Sequence, residues 1–143
     1  MSGDRDALGA LKLRASLAWG DHPEALRSMP EARSVPAEHL PFAFLAEDAG
    51  RILGFATVLA GPGAEAELED LFVEPELWRR GVGRRLLHEA ERRARMLGAS
   101  SLQLTAGRAR GFYAACGFQV VGGAATALGP AVRMQKRLTI SSP

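Results

Sequence analysis

The chain has 143 residues and one cysteine, Cys116, so no disulfide can staple it internally. It has no asparagine, which removes every N-glycosylation acceptor. Together these absences point to a reducing, cytoplasmic setting. Long apolar runs are missing too. The longest, Ile52 to Gly61, is about half of the ~20 residues that a bilayer span requires, so a membrane helix is excluded. The amino terminus carries acids and no apolar segment, so no secretion signal is expected. Histidine is sparse. His22, His39 and His88 fall at no metal-ligand spacing, and no metal site is expected.

The rest of the composition is that of an ordinary folded chain, 47% hydrophobic and 24% charged, which excludes wholesale disorder. Its size is one domain's worth, and residues 1–143 read as a single domain with helices over 1–40 and a sheet-bearing core over 42–138. Lysine is nearly absent: sixteen of the eighteen basic residues are arginine, and nine of the eighteen lie between Arg79 and Arg110. Six of the sixteen acids (Glu65, Glu67, Glu69, Asp70, Glu74, Glu76) lie just upstream. An acidic strip running into a basic one fits a cationic ligand group beside an anionic one; it also fits two solvated faces.

Helical spacing joins Leu8, Leu11, Ala15 and Ala18/Trp19. After a Gly-Asp-His-Pro break, Asp21 is placed to cap a second short helix with Pro23 in its first turn. Residues 42–47 and 52–60 read as a hairpin about Asp48-Ala49-Gly50-Arg51. Residues 65–73 alternate acid and apolar, a strand with one wet face that Glu74-Pro75 ends. Residues 84–97 form the clearest helix. Leu86, Leu87, Ala90, Ala94 and Leu97 share its apolar face, Glu89–Arg93 and Glu91–Arg95 are i,i+4 pairs, and Gly98 is a C-terminal cap. A strand at 101–105, a short helix at 110–116, a strand at 118–121 and a last strand near 132–138, after a glycine-rich connection, complete the chain. The order predicts a mixed α/β (α+β) domain around one sheet.

The most informative segment is Trp78-Arg79-Arg80-Gly81-Val82-Gly83-Arg84-Arg85. It opens a helix after a strand. A helix N-terminus carries about +0.5 of a charge, so each arginine there is unfavourable by roughly 0.3–1 kcal/mol. Four of them crowd this one. A bound anion removes the conflict: Gly81 and Gly83 let the backbone approach a ligand, and first-turn N–H groups point at it. The bland alternative is a tight turn with solvated arginines. A P-loop is excluded because no Gly-Lys pair exists. The dinucleotide fingerprint fails as well, since Leu86 occupies the third small position and Gln103 stands near the place of the acid.

These residues resemble the GCN5-related N-acetyltransferase (GNAT) superfamily. Its hallmark, Gln/Arg-x-x-Gly-x-Gly/Ala, follows a strand that ends near Val-x-Pro. Here Val73-Glu74-Pro75 is followed by Trp78-Arg79-Arg80-Gly81-Val82-Gly83, with Trp78 in place of Gln or Arg. A second motif, aromatic-Tyr-x-x-x-Gly-Phe, reads Phe112-Tyr113-Ala114-Ala115-Cys116-Gly117-Phe118. The resemblance covers roughly residues 42–138. It implies a mostly antiparallel central sheet with flanking helices, here without the usual opening strand, which leaves a sheet edge bare or covered by a partner, as in a homodimer. It implies acetyl-CoA as cosubstrate. Its pyrophosphate would rest on the amides of Arg79, Arg80, Gly81, Val82, Gly83 and Arg84, and its pantetheine arm along the backbone of Leu71, Phe72 and Val73. An amine would attack the thioester directly through a tetrahedral intermediate whose oxyanion the Val73 N–H stabilises.

Within that resemblance Tyr113, the only tyrosine, is the candidate acid for the departing thiolate, its ordinary pKa of ~10 being comparable to a thiol's. Glu67 and Glu69 share one face of their strand, with Asp70 on the other, and either could serve as base, through water or directly. Gln103 replaces the glutamate that relatives often carry, and Ala106 lies nearest to where they often carry asparagine. Cys116 reads as a small hydrophobe rather than an acyl carrier. The arginine helix, interleaved with glutamates, does not read as a nucleic-acid surface. The expected function is an N-acetyltransferase for an amine-bearing small molecule or peptide; the rival is a non-catalytic acyl-CoA-binding or regulatory module.

Overall fold

The computed structural model describes residues 2–139. Its elements are α1 (Ser2–Leu17), α2 (Pro23–Ser28), β1 (Ala43–Asp48), β2 (Arg51–Ala60), β3 (Glu65–Val73), α3 (Val82–Met96), β4 (Ser101–Ala106), α4 (Arg110–Ala115), β5 (Gln119–Thr126) and β6 (Gly129–Arg137), with single 3-10 turns at Pro30–Arg33, Ala37–Phe42 and Pro75–Leu77. The strands form one sheet in the order β1-β2-β3-β4-β6-β5. The β1–β2, β4–β6 and β5–β6 pairs are antiparallel and β3–β4 is parallel. The fold is thus mixed α/β with a mostly antiparallel sheet flanked by helices.

The chain divides into two compact units, Met1–Thr57 with Asp70–Leu87, and Val58–Glu69 with His88–Pro143. In the first, Leu8, Leu11 and Ala15 of α1 bury one helical stripe with Val35 and Phe55, and Leu40, Ala43, Ile52 and Phe72 pack around them. Full burial of each leucine or phenylalanine contributes about 1.5–3 kcal/mol, so this cluster is what fixes α1 to β2. α1 also crosses the Pro30–Arg33 turn closely at Gly9, where a Cβ would run into the Arg33 carbonyl oxygen. His22, not Asp21, occupies the N-cap of α2; it is in the left-handed region (φ 51°) and its side chain makes no cap bond.

In the second unit the parallel ladder pairs Glu65 with Ser101, Ala66 with Leu102 and Glu67 with Gln103. β6 pairs with β4 through Leu104↔Met134 and Thr105↔Arg133. Ala66, Leu68, Leu102, Leu104 and Met134 are all buried, whereas Glu65, Gln103 and Arg133 alternate with them and are not. Glu89 of α3 grips Arg92 and Arg93, and the Arg92 hydrogen bond above all holds its carboxyl down at about 2. The expected Glu91–Arg95 pair is corrected. Glu91 is 9% exposed and accepts from Lys136 Nζ at 3.1 Å, because it faces β6 rather than solvent. The glycine-rich segment expected as a connection is strand: Gly122 to Thr126 pairs with Gly129 to Arg133 after a bulge at Val121. Both α3 and α4 end in a Schellman motif. In α3 the Ala99 N–H donates to the Ala94 carbonyl and the Gly98 N–H to that of Arg95, with Gly98 left-handed at φ 83°.

Candidate active site

In the first unit, β3 ends at Val73, the Pro75–Leu77 turn follows, and a tight turn feeds α3. Two residues of that turn are left-handed, Arg79 at φ 65° and Gly81 at φ 86°. Glycine adopts this region freely; for arginine it costs about 1–2 kcal/mol. The bond from the Arg85 N–H to the Gly81 carbonyl, 3.0 Å, closes the first turn of α3. The amides of Val82, Gly83 and Arg84 precede it and have no helical acceptor. A Cβ placed on Gly81 would meet nothing within 4 Å, so the turn is open there. Arg79, Arg80, Arg84 and Arg85 are all exposed. The turn thus combines a left-handed kink, a helix N-terminus with free first-turn amides, and four exposed arginines close in sequence.

The strand leading into that turn is held from several sides. Trp78 donates from Nε1 to the Val73 carbonyl at 2.9 Å, and its ring stacks on Trp19 with centroids 4.7 Å apart. The same peptide group is held at its other end, where the Glu74 N–H donates to the Leu53 carbonyl at 2.9 Å. Arg14 of α1 grips the Glu74 carboxylate with two bonds of 2.6 and 3.1 Å, and this hydrogen-bonded partner raises the Arg14 pKa. Asp70, 6% exposed, lies 3.8 Å from Lys12 Nζ, which sits over the Phe72 ring. β2 approaches without a side chain at Gly54, where a Cβ would lie 2.8 Å from the Phe72 carbonyl oxygen. Trp78, a departure from the family pattern in the sequence, is therefore a fixed donor onto the strand.

In the second unit, burial alternates along β3, so exposed Glu69 and half-buried Glu67 share a face and Ala66 and Leu68 the other. Both Glu67 oxygens accept from Arg133 at 2.8 Å. Arg133 also donates to Thr105 Oγ1 at 2.9 Å and Gln103 Oε1 at 3.3 Å, and Gln103 Nε2 donates to Gln135 Oε1 at 3.4 Å. The Glu67 hydrogen bond, outweighing partial desolvation, raises the Arg133 pKa. Of the six acids in the strip, four are thus held by cations: Glu67 by Arg133, Asp70 by Lys12, Glu74 by Arg14 and Glu76 by Arg51. Glu65 and Glu69 stay exposed.

Tyr113 lies in α4, 8% exposed, with its ring edge-on to Phe112 (5.2 Å) and Phe118 (5.8 Å). The spacing Tyr-x-x-x-Gly-Phe has a local cause. The Phe118 N–H donates to the Tyr113 carbonyl and the Gly117 N–H to that of Ala114, with Gly117 at φ 98°, a Schellman end closed by the contact between the two rings. Cys116 is half-buried, and its carbonyl accepts from Lys136 Nζ at 3.0 Å. Among the described residues no group of His, Cys, Asp or Glu could hold a metal ion, and no helix is long and apolar enough to cross a membrane.

The chain belongs to the acetyltransferase (GNAT) family, which it matches over residues 11–118. It is similar in structure to the PaiA N-acetyltransferase of Thermoplasma acidophilum, solved with coenzyme A, at 20% identity and a TM-score of 0.77 over 94% of this chain and 93% of that one. A GCN5-related N-acetyltransferase of Rhodopseudomonas palustris matches at 22% identity and a TM-score of 0.76, covering 96% of this chain and 92% of that one. An aminoglycoside 6'-N-acetyltransferase complexed with coenzyme A matches at 17% identity and a TM-score of 0.75, covering 100% and 97%. At these identities the likeness is one of fold. No curated protein matches the chain.

Within the first unit, Leu71, Phe72, Val73 and the turn Arg79–Arg84 lie on consecutive elements, β3 and the start of α3. Glu67, Glu69 and Tyr113 belong to the second. Sequence reasoning missed Arg133 and the polar row it anchors. Its signal was present: Arg133-Met134-Gln135 alternates polar and apolar, as Gln103-Leu104-Thr105 does, and opposed alternating strands place the polar members together.

Proposed function

We propose that the protein is an N-acetyltransferase that moves the acetyl group of acetyl-CoA to an amine by direct attack, through a tetrahedral intermediate. The observation that carries the reading is the turn into α3, where left-handed Arg79 and Gly81 precede the first-turn amides of Val82, Gly83 and Arg84. That geometry suits a pyrophosphate, and the open space beside Gly81 suits its close approach. When bound, acetyl-CoA supplies a thioester carbonyl activated for attack.

The chain's own groups do the rest. The amides of Arg79 to Arg84 hold the diphosphate, and the backbone of Leu71, Phe72 and Val73 pairs with the pantetheine arm as an added strand. The Val73 N–H stabilises the oxyanion. Glu69, directly or through water, takes the first proton from the ammonium acceptor. Glu67 is less suited to this because its oxygens are directed at Arg133. The C–N bond would form first; as the tetrahedral intermediate collapses and the C–S bond breaks, Tyr113 would give its phenolic proton to the CoA thiolate and regain one from the acylated nitrogen. Exposed Glu69 and Glu65 favour a cationic acceptor, a small molecule or a peptide amine.

The second reading, a non-catalytic acyl-CoA-binding module, draws on two observations: Glu67 is committed to Arg133, and an amide, Gln103, stands on β4 beside it. One experiment separates the two. Thiol release from acetyl-CoA is followed with a panel of polyamines, aminoglycosides and peptides. Turnover with any amine, and N-acetylated product by mass spectrometry, supports the enzyme. Tight CoA binding without release supports the module.

A further inference from the structure

The β3–β4 ladder stops at Glu67↔Gln103, although β3 continues to Val73 and β4 to Ala106. Within the second unit, neither Leu68–Leu104 nor Glu69–Thr105 is paired among the described residues. Parallel strands that part in this way present unpaired backbone groups and tend to fray unless something fixes the point of parting. The Arg133 guanidinium lies at that point. It comes from β6, opposite Thr105. It grips both oxygens of Glu67, the last ladder residue of β3, at 2.8 Å, and donates at 2.9 Å to Thr105 Oγ1, two positions past the last ladder residue of β4. Gln103, the ladder partner of Glu67, accepts a further bond at 3.3 Å. One planar donor group thus spans three strands where the backbone ladder gives out. A lysine, with one point charge, could not make the same set of contacts.

We propose that Arg133 and Glu67 form a side-chain strap that sets where β3 parts from β4, making Arg133 a positioning residue for the stretch Leu71–Val73 that follows along β3. The inference rests on the proposed acetyl-CoA reading for its functional consequence. It also gives Glu67 a role other than proton acceptor.

The test uses the full chain and three variants: Arg133→Met, Glu67→Met, and the double exchange Glu67→Arg with Arg133→Glu. Each single variant is expected to raise the acetyl-CoA Kd, by calorimetric titration, roughly tenfold, the size of one charge-assisted hydrogen bond. The double exchange is expected to recover to within about threefold of the wild type, because the pair is re-formed with its charges reversed. With an active amine, kcat/KM for acetyl-CoA should fall more than kcat in the single variants. Single variants indistinguishable from wild type, or an exchange as impaired as either single, would overturn the strap. So would a kcat lost in both Glu67 variants and kept in Arg133→Met, which would mark Glu67 as the proton acceptor. If the wild type binds no acetyl-CoA, the acetyltransferase reading fails on its own. Amide hydrogen exchange at Leu68–Glu69 and Leu104–Thr105 then decides the strap: faster in both singles and restored in the exchange supports it, and unchanged rates overturn it.

Discussion

At Glu74 an arginine of α1 grips the carboxylate that closes β3; at Glu67, seven residues earlier, an arginine of β6 grips another. The contacts are alike, two bonds each from a guanidinium fork. The settings differ. Around Glu74 the Trp78 indole, the Glu74 N–H on Leu53 and the Lys12–Asp70 pair hold the same few residues, so Arg14 is one restraint among several. Around Glu67 the backbone ladder is ending, and a single guanidinium serves Glu67, Thr105 and Gln103. A bidentate pair therefore has no fixed worth. Its effect depends on what else restrains the groups it joins.

That contrast can be sharpened by first removing what the Glu74 end leads into. Gly83→Val should weaken acetyl-CoA binding by roughly 100-fold or more, because a branched side chain in the first turn of α3 blocks the ligand's approach. The helix itself should not suffer, since valine is no worse than glycine in helix propensity. Titration calorimetry together with a thermal melt checks both halves, and a folded variant with normal affinity would sink the phosphate assignment.

Tyr113→Phe addresses the second unit by chemistry alone. The ring and the Schellman end of α4 are preserved and one hydroxyl is lost. General acid catalysis is worth roughly 10²–10⁴-fold, and an alkyl thiolate can leave unprotonated at some cost, so a fall in kcat near 10² is expected. KM for acetyl-CoA should barely move. Steady-state kinetics with an accepted amine measures it; an unchanged kcat reduces Tyr113 to packing.

The smallest effect is expected from Arg14→Ala. Arg14 is about half exposed, and its end of β3 has other restraints. Exposed pairs are worth about 0–1 kcal/mol, so the melting temperature should drop by no more than a few degrees and acetyl-CoA affinity should hold within about threefold. A loss as large as that of Arg133→Met would erase the difference between the two ends.

Much of this architecture was legible before any coordinates. The bounds of β3 follow from acid–apolar alternation, and Leu86, Leu87, Ala90 and Ala94 of the expected apolar stripe are buried as their spacing requires, whereas Leu97, its expected fifth member, lies past the end of α3 and is exposed. The Gly98 cap follows from local chemistry alone. What the sequence hid was tertiary in origin. Gly122 and Gly123 read as loop because glycine weakens strands, and only pairing with β6 overrides that. Glu91 looked like half of an i,i+4 pair because nothing local shows that β6 will bring Lys136 to it. The acidic strip looked free for a ligand because its cations come from residues 12, 14, 51 and 133, remote in sequence. The turn into α3 is the reverse case. Four arginines at a helix N-terminus break a local rule, and the proposed anion site rests on that breach.

The stacking of Trp78 on Trp19 has an optical consequence. These are the chain's only two tryptophans, and both lie in the first unit beside the end of β3. Indole emission from this protein is therefore a local signal, free of the averaging that scattered fluorophores impose. The single tyrosine, Tyr113, belongs to the other unit, so exciting the indoles selectively and exciting both kinds of ring report on different places. Binding of acetyl-CoA at the turn into α3, as proposed, is expected to change the indole emission in the unmodified chain, with no dye attached and no residue replaced.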